Sequence, residues 1–162
     1  MARIDVTELT VCESLVRRLR TQLKLTDRQC FWVLDPLAVE LPPGGDYYVT
    51  VAPGDSSFPP EEQQPGNITE EWTVDVTIYS RMRLDSTNED TKLLGDESRG
   101  LYSLKRKVLV AVVHEDLEDE DGDVFLRQIL HVTNCTRPNY DKEKAVGWLT
   151  LTLGVSFDWD LT

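Results

Sequence analysis

Histidine and cysteine are scarce, and the few present are not arranged for metal or redox chemistry. The 162 residues hold His114 and His131, and Cys12, Cys30 and Cys135. Neither histidine falls in an HxxH or HExxH pattern and no two cysteines form CxxC, so the spacing gives no sign of the convergent ligands that a zinc site requires. An odd set of unpaired cysteines reads as free thiols in a reducing compartment. His131 is expected within a strand, and His114 near the C-terminus of a helix, where a cation suits the dipole. GxSxG, GxxxxGK and GxGxxG are also missing, and Gly44-Gly45 beside two prolines is no phosphate cradle. Among 29 acids a carboxylate pair can always be assembled, so acids alone do not argue catalysis. Asp75, inside an alternating run, is the one whose surroundings would matter. No enzymatic role, metal or cofactor is expected.

Long apolar runs are lacking too. No segment approaches the roughly 20 residues of a membrane span, and MARIDVTELT holds no apolar core of a signal peptide. A soluble protein that stays in the compartment where it is made, with no membrane partner, is the expectation. The sequons at 67–69 and 134–136 then read as chance matches. Positive charge is in deficit, with 17 bases against 29 acids and a net charge of −12. Such a chain is repelled by a phosphate backbone, which excludes nucleic-acid binding through a general basic surface. Acidity of this size keeps a protein soluble, and it can also line a passage through which DNA slides without sticking.

What is present is the composition of one globular domain spanning 1–162, 40% hydrophobic and 28% charged, large enough to need no disulfide or metal staple. Val6, Leu9, Cys12, Leu15, Val16, Leu19 and Leu23 recur at helical spacing, which predicts a helix over about residues 6–24. Asp5 followed by Glu8 resembles its capping box. The other face of this helix carries Arg17, Arg18, Arg20 and Lys24, a positive patch able to meet an acidic neighbour. Short apolar runs at 30–34 and 47–52 predict neighbouring strands. Residues 72–84 alternate almost without fault, a strand longer than a small core needs, so its far end is expected to project from the sheet. Leu101, Leu104, Val108, Ala111 and Val112 predict a second helix over about 98–113, with Lys105, Arg106 and Lys107 clustered in it. Two further strands follow, from Val124 to Thr133 and from Trp148 to Trp159. Surface loops are expected at about 35–46, 53–70, 85–98 and 133–146. The fold class is α+β: two layers, with a mainly antiparallel sheet of about five strands against two helices, in the order α-β-β-β-α-β-β.

The acidic stretch HEDLEDEDGDVF, residues 114–125, invites comparison with a calcium loop. Setting Gly122 at the turn position of an EF-hand puts Leu117 at the first ligand position and Gln128 at the last. Neither residue can serve there. A turn between helix and strand, bearing Glu118, Asp119, Glu120, Asp121 and Asp123, fits better than a calcium- or metal-binding module, which stays as the alternative from another class.

The segments EWTVDVTIYSRMRLDSTN, RGLYSLKRKVLVAV and GWLTLTLGVSFDWDL, in this order behind a short amphipathic helix, are similar to the tail terminator and tail-completion proteins of long-tailed bacteriophages and related particles. The likeness runs over about residues 5–160 and rests on element order and the character of the segments. It implies a structural virion protein of the tail or neck, made in the host cytoplasm. Such a protein forms a homo-oligomer, a hexameric ring that caps the tail tube. It has tail-tube and head-connector proteins as partners, and DNA passes through the channel without specific binding. Another head-tail connector or a tail-tube subunit is the alternative within the class. On this reading Arg81, Arg83 and Arg99 are candidate salt-bridge partners for acids on the adjacent protomer, and Arg17 and Arg18 belong to a candidate contact face. Phe157 and Trp159 either complete the core or join an intersubunit contact. The acidic turn either faces the channel, repelling DNA, or faces outward, serving solubility.

Overall fold

In the computed structural model, residues 6–83, 87–113, 115–126 and 131–160 are described. Helix α1, Glu8–Leu23, opens on a capping box. The Thr10 backbone N–H donates to the Thr7 hydroxyl at 3.4 Å, and the Thr7 N–H donates to the Thr10 hydroxyl at 3.2 Å. The cap is therefore Thr7, with Thr10 three residues on, in place of the Asp5 expected from sequence; Asp5 itself lies outside the described residues. Lys24 closes the helix in the left-handed region, at φ 54°. Val11, Cys12, Leu15, Val16 and Leu19 form its buried stripe, each large side chain contributing roughly 1.5–3 kcal/mol by leaving water.

Beyond it come strands β1 (Cys30–Trp32), β2 (Tyr47–Ser57) and β3 (Asn67–Arg81), helices α2 (Glu89–Gly95) and α3 (Leu101–Val112), and strands β4 (Leu117–Glu118), β5 (Val124–Leu126), β6 (His131–Cys135), β7 (Asn139–Asp141) and β8 (Val146–Asp160). The main sheet runs β1-β2-β3-β8-β6, with β7 also on β8, while β4 and β5 form a separate ribbon. All pairs are antiparallel except β1 with β2. The class is α+β, as the sequence pattern indicates, with a third helix added. The β1 and β2 runs are neighbours, and His131 lies in a strand. His114 lies outside the described residues.

Three expected loops are shorter than their composition suggests. β2 continues to Ser57 and β3 starts at Asn67, so the 53–70 loop shrinks to 58–66. A bulge between Pro53 and Ser56 carries β2 past its proline, beyond the end of its pairing with β1. α2 occupies much of 85–98, and β6 and β7 take up parts of 133–146 by pairing onto β8. Pairing supplies what these polar segments cannot supply alone, a partner for each backbone group. The segment 35–46 stays irregular apart from a 3-10 turn at Pro36–Ala38.

Nor does the long strand project at its far end. β3 pairs with β8 throughout, from Asn67 opposite Asp160 to Arg81 opposite Val146. Its last residues are held further by Arg81 N–H to Asp46 O at 2.9 Å and Met82 N–H to Ala145 O at 2.7 Å. One face, with Val49, Val76, Ile78, Leu149, Leu151 and Leu153, lies buried in the core shared with α1 and α3. On the other face Thr77 and Thr150 share a hydrogen bond at 2.9 Å. The 35–46 segment folds over that side: the Tyr79 and Tyr48 hydroxyls donate to the carbonyls of Pro36 and Pro42. Among the described residues, no helix is long and apolar enough to cross a membrane.

Candidate functional site

The acidic stretch forms the tip of a hairpin. β4 and β5 pair antiparallel, Leu117 with Leu126 and Glu118 with Val124, and Gly122 turns the chain at φ +84°. Asp119 organises the tip: one carboxylate oxygen accepts the N–H groups of Asp121 at 3.0 Å and Asp123 at 2.9 Å. This corrects the expectation of a turn between helix and strand. Strands, not helices, flank the loop, which is a further departure from an EF-hand. Among the described residues no three His, Cys, Asp or Glu side chains converge for a metal ion.

α1 holds the hairpin. Leu117 is buried, while Ser14 Oγ and Arg17 Nη2 donate to the Glu118 carbonyl at 2.8 and 3.0 Å. Arg18 donates to the Ala111 carbonyl and pairs with Glu115 at 2.9 Å. The positive face of α1 thus meets its acidic neighbour within the same chain. Glu118, Glu120, Asp121 and Asp123 remain exposed around the tip, and their carboxylates have no partner among the described residues.

Arg81, Arg83 and Arg99 gather around the end of β3, each with partners of its own. Arg81 donates to the carbonyls of Gly45 at 3.1 Å and Pro42 at 3.0 Å, and lies 5.4 Å from the centre of the Tyr48 ring. Arg83 pairs with Asp46 at 3.1 Å on the surface. Arg99 is 4% exposed and grips Glu89 with two bonds of 2.8 and 3.0 Å, while also donating to the Arg81 carbonyl at 3.0 Å. The expectation that Arg99 reaches an adjacent protomer is thereby corrected: its guanidinium is enclosed by α2 and β3. That guanidinium holds the Glu89 carboxyl below its usual range against the opposing effect of burial, helped by the Arg83 N–H. Asp96 is pushed down to about 2 by the Ser98 hydroxyl and the N–H groups of Ser98 and Arg99. Asp75 accepts the Thr152 hydroxyl at 2.8 Å on the polar sheet face.

Phe157 stacks on buried Trp72 with ring centres 5.0 Å apart, and Trp159 tilts against Phe157, also at 5.0 Å. Trp159 is half-buried and donates from Nε1 to Glu70 at 2.9 Å. Phe157 is a core residue, and Trp159 is its partly open rim.

A recess of about 800 Å³ between the end of α1 and the length of α3 from Tyr102 to Ala111 is not legible as one feature in the sequence. Lys24, Tyr102, Arg106, Lys107 and Val110 line it. Lys24 and the run Lys105, Arg106 and Lys107 are visible in the sequence as separate charges more than 80 residues apart. Only the antiparallel packing of α1 on α3 joins them. Comparison with protein families and with curated proteins finds no match for this chain.

Proposed function

We propose that this chain is a structural protein of a long-tailed phage particle, the tail terminator, a ring subunit that caps the tail tube and joins it to the head connector. The observation that carries the reading is the order of elements: an amphipathic helix, strands ending in one overlong β3, then α3, and a final β8 that matches β3 along its whole length. This is the layout on which the resemblance to tail-completion proteins rests. The long β3–β8 ladder supports it mechanically, since a part that bears load along a tail gains from a continuous hydrogen-bonded ribbon. Its place would be the virion, after synthesis in the host cytoplasm.

The test is assembly. Tail-tube subunits polymerised with and without this protein are measured by electron microscopy, and the protein alone by size exclusion with light scattering. Tubes of limited length with a ring at one end are expected. Tubes whose length ignores the protein, together with a strict monomer in solution, would sink the proposal.

A further inference from the structure

Two neighbouring surfaces along α1 carry opposite charge. Seven of the nine residues at 115–123 are acids, and four carboxylates around the hairpin tip have no partner among the described residues. The recess gathers Lys24, Arg106 and Lys107, with Lys105 over the Tyr102 ring at 5.1 Å. The Lys24 and Arg106 side chains have no ion pair or hydrogen bond among the described residues, and Lys107 donates only to the Glu97 carbonyl, at 3.1 Å. Apolar surface lies open on both sides: Val110 is 76% and Tyr102 46% exposed in the recess, and Val124 beside the tip is 38% exposed.

With Lys24, Arg106 and Lys107 against Glu97, the recess is net positive on a chain of net charge −12. Its complement in both sign and apolar character is found on the chain's own hairpin. Within one chain that hairpin is held elsewhere: Ser14 and Arg17 fix the Glu118 carbonyl, Asp119, Glu120 and Gly122 lie beside Thr21 and Gln22, and none of residues 115–123 lines the recess.

We propose that the recess between α1 and α3 receives the acidic hairpin tip of a second copy of this chain. Tip and recess are different surfaces, so the contact is heterologous and propagates, closing into a ring where the rotation between copies permits. Only the ring closure rests on the tail-terminator reading; the contact between copies stands apart from it. Duplex DNA is the competing occupant, disfavoured by the repulsion between a polyanion and the chain as a whole.

Two charge-reversed proteins test this: a recess variant, Arg106→Glu with Lys107→Glu, and a tip variant, Asp121→Lys with Asp123→Lys. All four positions are exposed, and circular dichroism checks that both fold; Arg106→Gln with Lys107→Gln replaces the recess variant if it does not. Association is read by sedimentation at physiological salt. Wild type is expected to self-associate, each reversed variant alone to do so at least about tenfold more weakly, and their equimolar mixture to recover, because a basic tip then meets an acidic recess and an acidic tip a basic one. A monomeric wild type, a variant that associates unchanged, or a mixture that does not recover would overturn the contact. So would wild-type binding to a labelled DNA duplex that the recess variant loses. Association with no effect on tube length keeps the contact and removes the terminator reading. Tube capping by a tip variant that no longer associates keeps both that reading and the contact, and shows that capping does not use the contact.

Discussion

Arg99 joins three segments through one side chain. Its bonds to Glu89 hold α2, its bond to the Arg81 carbonyl holds the end of β3, and Glu89 in turn accepts the Arg83 N–H at 2.7 Å. Arg99→Met would leave a buried carboxylate unpaired, an expected loss of about 3 kcal/mol. Urea denaturation at neutral pH measures it. The pH dependence has a definite sign. Glu89 titrates below its unfolded value when folded, so its contribution is whole above the unfolded value of about 4.5 and is lost as pH falls through the folded value. The stability gap between wild type and Arg99→Met should narrow on acidification below that point. A gap that widened would refute the assignment. Thiols give a second residue-scale prediction. Burial pushes Cys12 and Cys30 up to about 12, with Glu8 and Glu13 adding to the effect at Cys12, whereas Cys135 is exposed. A thiol reagent at pH 8 should modify one cysteine per native chain and all three after unfolding.

At the scale of elements, the β3–β8 ladder ends in the cluster of Trp72, Phe157 and Trp159. Phe157→Ala opens a cavity beside a stacked ring and should cost about 3 kcal/mol, a fall in Tm of roughly 10 °C for a chain of this size. Trp159→Ala, at the open rim, should cost less than half as much. Equal losses would mean that Trp159 is as much a core residue as Phe157. In the hairpin, Asp119→Ala removes the carboxylate that accepts two backbone N–H groups and should loosen the tip, seen as faster amide exchange at Asp121 and Asp123 with global stability changed by about 1 kcal/mol at most. Titration calorimetry with calcium should show no micromolar site, since Asp119 is occupied by backbone donors and the loop is flanked by strands. Long periodic segments such as residues 8–23 and 72–81 were legible because burial of one face imposes a period on the residues themselves. The ends of β2 and β3, the whole of α2, and β7 were not, because polar stretches such as PGDSS and NCTRPN become ordered only by pairing with a neighbour distant in sequence.

At the scale of the whole molecule, net charge and local complementarity act in opposition. Two chains at −12 each repel at long range, while recess and hairpin tip attract at contact. The Debye length falls from about 30 Å at 0.01 M salt to about 8 Å at 0.15 M and 3 Å at 1 M. Self-association should therefore be strongest at intermediate salt, weak at the low end from overall repulsion and weak again at the high end from screened pairs. Sedimentation across that range checks it, and a monotonic fall from the lowest salt would show that no such balance operates.

Composition and pattern by themselves determined the α+β class, the two main helices, the long strands and the acidity, because each is a property of residues near one another in the chain. Tertiary structure alone decided that Arg17 and Arg18 meet the chain's own hairpin, that Arg99 is buried against Glu89, and that Lys24 shares a recess with Arg106. The reason is physical: charge is placed by sequence, but its partner is chosen by whichever backbone the packing of α1, α3 and the sheet brings within a few ångströms.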